Sequence, residues 1–256
     1  MTMSTSTRDD SPLAIPIGQM SVLEDLVRQL STPLAIDGTA RGTESDVEKR
    51  LRGEILEDLA AAMGVTRADI EYELAGQPVP RGPENWGWVQ AILRAVDRIP
   101  GVNSTAIDLF TRDVYVYLSY PGVRAKIDRF VAAAFGNEPC VVLAYSLGTI
   151  VAYNVLLSRP TAPPVVRFIT VGSPLGIRGI KRHLASPLRS PACVGNWFNA
   201  YDDRDVVALV ALDAHSFDVS PPIQNKSDVL NFTDNRHGIA GYLADPVVAA
   251  RIAEYL

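Results

Sequence analysis

The sequence predicts an α/β fold: a mostly parallel central sheet flanked by helices, with the N-terminal part of the sheet reduced and helix-rich. Three observations predict it. Short apolar runs without alternation, CVVLAY at 140–145, VVRFITV at 165–171 and VGNWFNAY at 194–201, read as buried parallel strands. A helical stretch from Gly148 to Ser158 separates the first two, which is the order of a βαβ unit. Residues 20–135, by contrast, read mostly as helix.

Taken in order, residues 1–12 are rich in Ser, Thr and Asp and read as a disordered tail, leaving 13–256 as a single domain. PLAIPIG at 12–18 is a candidate short strand, and SVLEDLVRQL at 21–30 has helical spacing behind a serine cap. IDGTARGTESD at 36–46 is turn-rich. From Val47 to Met63 the apolar residues Leu51, Ile55, Leu56, Leu59 and Met63 recur at three and four, an amphipathic helix stopped by Gly64. QPVPRGPEN at 77–85 is a loop, WGWVQAILRAVDRI at 86–99 a helix ended by Pro100, and 121–135 a further helix after Pro121. Trp86 and Trp88 either line an acyl pocket or belong to the core. GYLADPVVAARIAEYL closes the chain as helix.

Composition narrows the function classes. A chain of 256 residues, 47% hydrophobic and 21% charged, is that of an ordinary globular protein. The formal net charge of −5 argues against a nucleic-acid partner, which calls for a basic face. Cys140 and Cys193 have no metal-site spacing and read as buried or half-buried thiols in a reducing compartment. The polar N-terminus lacks the apolar stretch of a secretory signal, and no run approaches the ~20 apolar residues of a membrane span. A cytoplasmic protein is expected, with no cofactor: no phosphate-binding loop, dinucleotide fingerprint or HExxH occurs.

The chemistry centres on VVLAYSLGTIVAYNVL. Ser146 lies between a strand and a helix, with Ala144 two before it and Gly148 two after, which is the G-x-S-x-G nucleophile elbow with alanine in the first position. Small residues are expected there because positions two either side of the serine face each other across a sharp turn, where larger side chains would push the helix away. The backbone N–H of Leu147, next after the serine, is the expected oxyanion donor. No HG motif precedes Ser146 to mark the second donor, and Gly18-Gln19 is the candidate substitute.

A serine needs a base. The histidines are His183, His215 and His237. His183 sits among basic residues and His215 in a loop between two acids, whereas His237 occupies TDNRHGIAGYL, a polar loop just before the final helices. His237 is therefore the candidate base. An acid must then orient the imidazole, and NWFNAYDDRDVVAL offers Asp202, Asp203 and Asp205 at the end of a strand.

From about Glu48 to Leu256 the chain resembles bacterial α/β-hydrolases of the lipase/esterase-like serine hydrolase type. The resemblance rests on RGPENWGWVQAILRAVD, TRDVYVYLSYPGVR, VVLAYSLGTIVAYNVL, FITVGSPLGIRGI, WFNAYDDRDVVAL and TDNRHGIAGYL. Relatives read G-H-S-L-G at the elbow, so Ala144 and Tyr145 depart from the pattern. The resemblance implies an α/β-hydrolase-like fold and favours Asp205 as the acid, since an acid before Val-Val resembles the D-x-V turn of many such enzymes. Asp202 is the alternative. It implies a small-molecule acyl substrate, an ester or thioester, cleaved through an acyl-enzyme. Two other readings share these residues: an acyltransferase using the same triad, and a binding module that keeps the fold without turnover.

Overall fold

The computed structural model describes residues 46–254 apart from Glu84, with Asp46 described by its backbone alone. These residues belong to one compact unit, 45–256. The tail expected at 1–12, the strand at 12–18, the helix at 21–30 and Gly18-Gln19 lie outside the described residues.

Helices come first: α1 (Asp46–Ala62), α2 (Arg67–Glu73), α3 (Trp86–Val96), α4 (Ser104–Ser119) and α5 (Pro121–Ala133). Their starts are written in the sequence. Thr66 and Asp69 form a capping box at α2, Asn85 and Asn103 accept from the first-turn N–H groups of α3 and α4, and Pro121 occupies the first turn of α5. Leu51, Ile55, Leu56 and Leu59 of α1 are buried, as their spacing requires. Trp88 is buried and its Nε1–H donates to Glu57 Oε1 at 2.8 Å, while Trp86 lies half-buried beneath the Arg52 guanidinium, so both belong to helix packing.

Four strands follow among the described residues: β1 (Cys140–Tyr145), β2 (Val165–Val171), β3 (Trp197–Ala200) and β4 (Gln224–Lys226), all parallel in the order β1-β2-β3-β4. Helix α6 (Leu147–Ser158) joins β1 to β2, and α7 (Arg178–Lys181) lies between β2 and β3. A short turn, Asp234–Arg236, precedes α8 (Ile239–Leu243) and α9 (Pro246–Ala253). No helix among the described residues is long and apolar enough to cross a membrane.

The expected strand at 194–201 is shorter, Trp197–Ala200, and β4 adds a strand that the sequence does not announce. A row of side-chain hydrogen bonds, running outward from buried Thr170 and Asn199 to exposed Asn225, accompanies it. Thr170 Oγ1 donates to Asn199 Oδ1 at 2.9 Å, Asn199 Nδ2 donates to Asn225 Oδ1 at 2.9 Å, and Asn225 Nδ2 donates to Leu212 O at 2.8 Å. β1 departs from the fully buried strand expected of CVVLAY: it pairs only with β2 among the described residues, most of it is half-buried, and Leu143 is exposed.

Alternating residues send side chains to opposite faces of the sheet. Phe168 and Trp197 join the large core formed with buried residues of α1 to α4 and α6, whereas Ile169, Val171, Phe198 and Ala200 meet Tyr242 of α8 and Val248 of α9. The register sets Tyr145 opposite Val171 and Val171 opposite Ala200. The residues that follow, Ser146, Gly172 and the Asp202–Asp205 loop, thereby leave the sheet at one end, the carboxyl end where open α/β sheets bind ligands.

Candidate active site

Ser146 begins as a backbone problem. Its φ of 52° and ψ of −131° lie outside the regions that residues with a Cβ ordinarily adopt, a conformation that costs of order 1–3 kcal/mol and persists only where its surroundings hold it. The surroundings are visible. Ser146 N donates to Val171 O at 3.2 Å, tying the turn to β2. Beneath it, buried Thr149 sends N–H to Ser146 O at 2.9 Å and Oγ1 to the same carbonyl at 2.7 Å, with Ser173 Oγ 2.9 Å from that hydroxyl.

Ser146 Oγ lies 2.7 Å from His237 Nε2, and His237 Nδ1 lies 2.9 and 2.8 Å from Asp205 Oδ1 and Oδ2. The carboxylate can only accept, so Nδ1 carries the proton that points at it and Nε2 is left to accept from the serine hydroxyl. Asp205 is fully buried, and its Oδ1 also accepts from Val207 N at 2.8 Å and Ala208 N at 3.3 Å. The His237 loop is braced rather than loose. Asn235 and Arg236 adopt positive φ, Asn235 Oδ1 accepts from Asn103 N at 2.8 Å, and buried Asn231 donates through Nδ2 to Gly238 O at 2.9 Å.

The other acids of the loop have different work. Asp202 is fully buried, accepts from Asn231 N at Oδ2 and from Arg204 N at Oδ1, both at 2.9 Å, and sits between the guanidiniums of Arg204 at 3.6 Å and Arg236 at 3.8 Å. It joins the acid loop to the His loop and does not reach the imidazole contacts that Asp205 makes. Asp203 is exposed, as are His183 and His215.

Leu147 opens α6, so its N–H belongs to the first turn, where helix donors lack intrahelical acceptors. The steric reason expected for Gly148 does not hold: a Cβ built there meets nothing within 4 Å, so the small residue leaves open space beside the serine instead of relieving a clash. The crowding falls on Gly172, at φ 56° just after β2, where a Cβ would come within 3.0 Å of Tyr242 Cε2, 3.2 Å of His237 Cε1 and 3.3 Å of Asp205 Oδ2. Gly172 and Tyr242 are the residues of this centre that sequence reasoning misses. A glycine directly after a buried strand was the available signal for the first; Tyr242, one aromatic in a helical stretch, carries none.

Aromatic rings wall the imidazole. Tyr145 lies 5.0 Å from it, centroid to centroid, and Phe110 of α4 lies 6.5 Å away edge-on. Burial, and secondarily the Asp205 charge, pushes the Tyr145 phenol up to about 12, so it stays neutral through the physiological range. A cavity of about 460 Å³ opens on the flank of the acid and His loops, lined by Met63, Ile99, Val102 and Leu209 with Arg204 and Arg236; Ser146 does not line it.

Comparison with protein families, with curated proteins and with solved structures gives no match for this chain.

Proposed function

We propose that the protein is a serine hydrolase of the α/β-hydrolase type that cleaves an ester or thioester of a small acyl substrate. The observation that carries this reading is the unbroken line of hydrogen bonds from Ser146 Oγ through His237 to buried Asp205. A serine hydroxyl is a weak nucleophile until a base removes its proton as it attacks. His237 Nε2 takes that proton, Ser146 Oγ bonds to the carbonyl carbon, and the oxygen becomes an oxyanion facing the Leu147 N–H. The C–O or C–S bond then breaks, and His237 returns the proton to the departing alcohol or thiol. Water attacks the acyl-enzyme by the same route in reverse, with His237 as base, releasing the carboxylic acid and restoring Ser146. Asp205 keeps the imidazole in the reactive tautomer and stabilises the imidazolium without itself taking the proton.

The strained Ser146 backbone supports the same reading, since strain of this kind clusters where a side chain must be held in an unusual direction. The test is covalent labelling with a fluorophosphonate probe together with hydrolysis of p-nitrophenyl esters. Labelling at Ser146, lost in Ser146→Ala and His237→Ala along with turnover, is the expected result. Equal turnover by wild type and Ser146→Ala overturns the reading.

A further inference from the structure

The geometry points to Tyr242 as a positioning residue whose buried hydroxyl holds Asp205 Oδ2 and sets how strongly that carboxylate draws on His237. The inference rests on the proposed Ser146–His237–Asp205 mechanism and assigns a role within it that the elbow and histidine motifs do not contain.

Tyr242 is fully buried on α8, five residues beyond His237. Its ring is packed among Ile169, Val171, Phe198 and Val229, so the hydroxyl has little freedom of position. That hydroxyl donates to Asp205 Oδ2 and accepts from Asp202 N at 3.4 Å. Both of its hydrogen-bonding directions are thus used within the acid loop. Burial and the facing Asp205 charge hold the phenol far above its ordinary range, so it serves as a donor at every working pH.

The consequence is a division of labour on one carboxylate. Oδ1 is held by the backbone N–H groups of Val207 and Ala208, and Oδ2 by the phenol. A phenol donating to a carboxylate withdraws part of the negative charge that the imidazole would otherwise feel. Removing the donor leaves Asp205 in place on its backbone bonds but concentrates its charge on His237, which favours the imidazolium. The other charged and titratable groups around the pair stay the same: Asp202 with Arg204 and Arg236 behind it, Tyr145 from the end of β1, and Asp234 in the His loop.

The experiment compares full-length wild type, Tyr242→Phe and Tyr153→Phe by ester hydrolysis and by fluorophosphonate labelling across pH. Tyr153 is the control: it is also fully buried, and its hydroxyl donates to Arg189 O at 3.0 Å, outside the triad. In Tyr242→Phe the acid limb of kcat/KM moves to higher pH by about half a unit, kcat at pH 7 falls about three- to tenfold, and KM stays within about twofold. In Tyr153→Phe the limb does not move. A limb unmoved in Tyr242→Phe, with activity lost only in proportion to unfolded protein, overturns the positioning role. Should Tyr242→Phe fail to fold, 3-fluorotyrosine placed at 242 keeps the ring and makes the hydroxyl a stronger donor; the limb then moves to lower pH, and an unmoved limb overturns the assignment. A wild type that neither labels nor hydrolyses overturns the hydrolase reading and this role with it. A wild type that labels at Ser146 while the limb stays fixed overturns Tyr242 alone.

Discussion

Gly172 faces His237 so closely that a methyl group on it would come within 3.2 Å of the imidazole Cε1. The strand end is therefore fitted to the imidazole as well as to the fold. Gly172→Ala meets two penalties: a side chain at φ 56°, worth about 1–2 kcal/mol, and contact with the three residues that converge there. The expected outcome in denaturant unfolding is a stability loss of that order. Ester hydrolysis should fall further than the loss of folded protein explains, because the displaced atoms belong to His237, Asp205 and Tyr242. A Gly172→Ala variant with wild-type turnover contradicts this account of the centre.

Gly148 makes the opposite prediction. A Cβ there enters open space, and alanine is the better helix former by about 1 kcal/mol. Gly148→Ala should unfold at equal or higher denaturant concentration than wild type. If it unfolds markedly earlier, the elbow is tighter than described.

The two buried acids of one loop should separate cleanly. Asp205→Asn removes the charge that orients and stabilises the imidazolium, and turnover should drop by about 10⁴-fold while the protein stays folded. Asp202→Ala instead strands the buried Asn231 N–H, and stability should fall by about 1–3 kcal/mol with a far smaller loss of turnover per folded molecule. Thermal unfolding and steady-state kinetics on both variants check this. The reverse pattern would make Asp202 the acid.

Asp213 gives a stability that depends on pH. The N–H of Ser216, with the Ser216 hydroxyl and the N–H of His215, holds its carboxyl below the usual carboxylate value. A lowered folded-state value means that the ionised form is the one stabilised by folding. Its contribution is therefore fully present above the unfolded value of about 4 and is lost as pH falls through the lower folded value. Asp213→Ala should be less stable than wild type at pH 7, and the gap should narrow as pH falls below the unfolded value. A gap that stays constant from pH 7 to 3 contradicts this.

Ser146, His237 and the acid loop could be read in the sequence because their signals are local: small residues bracketing a serine between strand and helix, and polar loops beside apolar runs. What escaped notice depends on packing between distant segments. β4 is the polar triplet Gln224–Lys226, and it becomes a strand because Asn225 meets Asn199 across the sheet. β1 reads as buried because every residue in it is apolar or aromatic, yet an apolar run says nothing about where its strand stands in a sheet. Tyr242 could not be distinguished from ordinary core, since its significance lies in one hydroxyl meeting Asp205. The same limit kept Asp202 and Asp205 apart only by resemblance, whereas three-dimensional placement gives them different partners.

The two faces of the sheet are unequally clothed. Among the described residues, the face carrying Ile169, Val171, Phe198 and Ala200 is roofed from the segment after residue 228, by Val229, Tyr242 and Val248. That same stretch carries His237 and braces it through Asn231. The cover of this face and the imidazole that meets Ser146 thus share one short span. Displacing that roof would therefore part His237 from Ser146 and bare Ile169, Val171, Phe198 and Ala200 together.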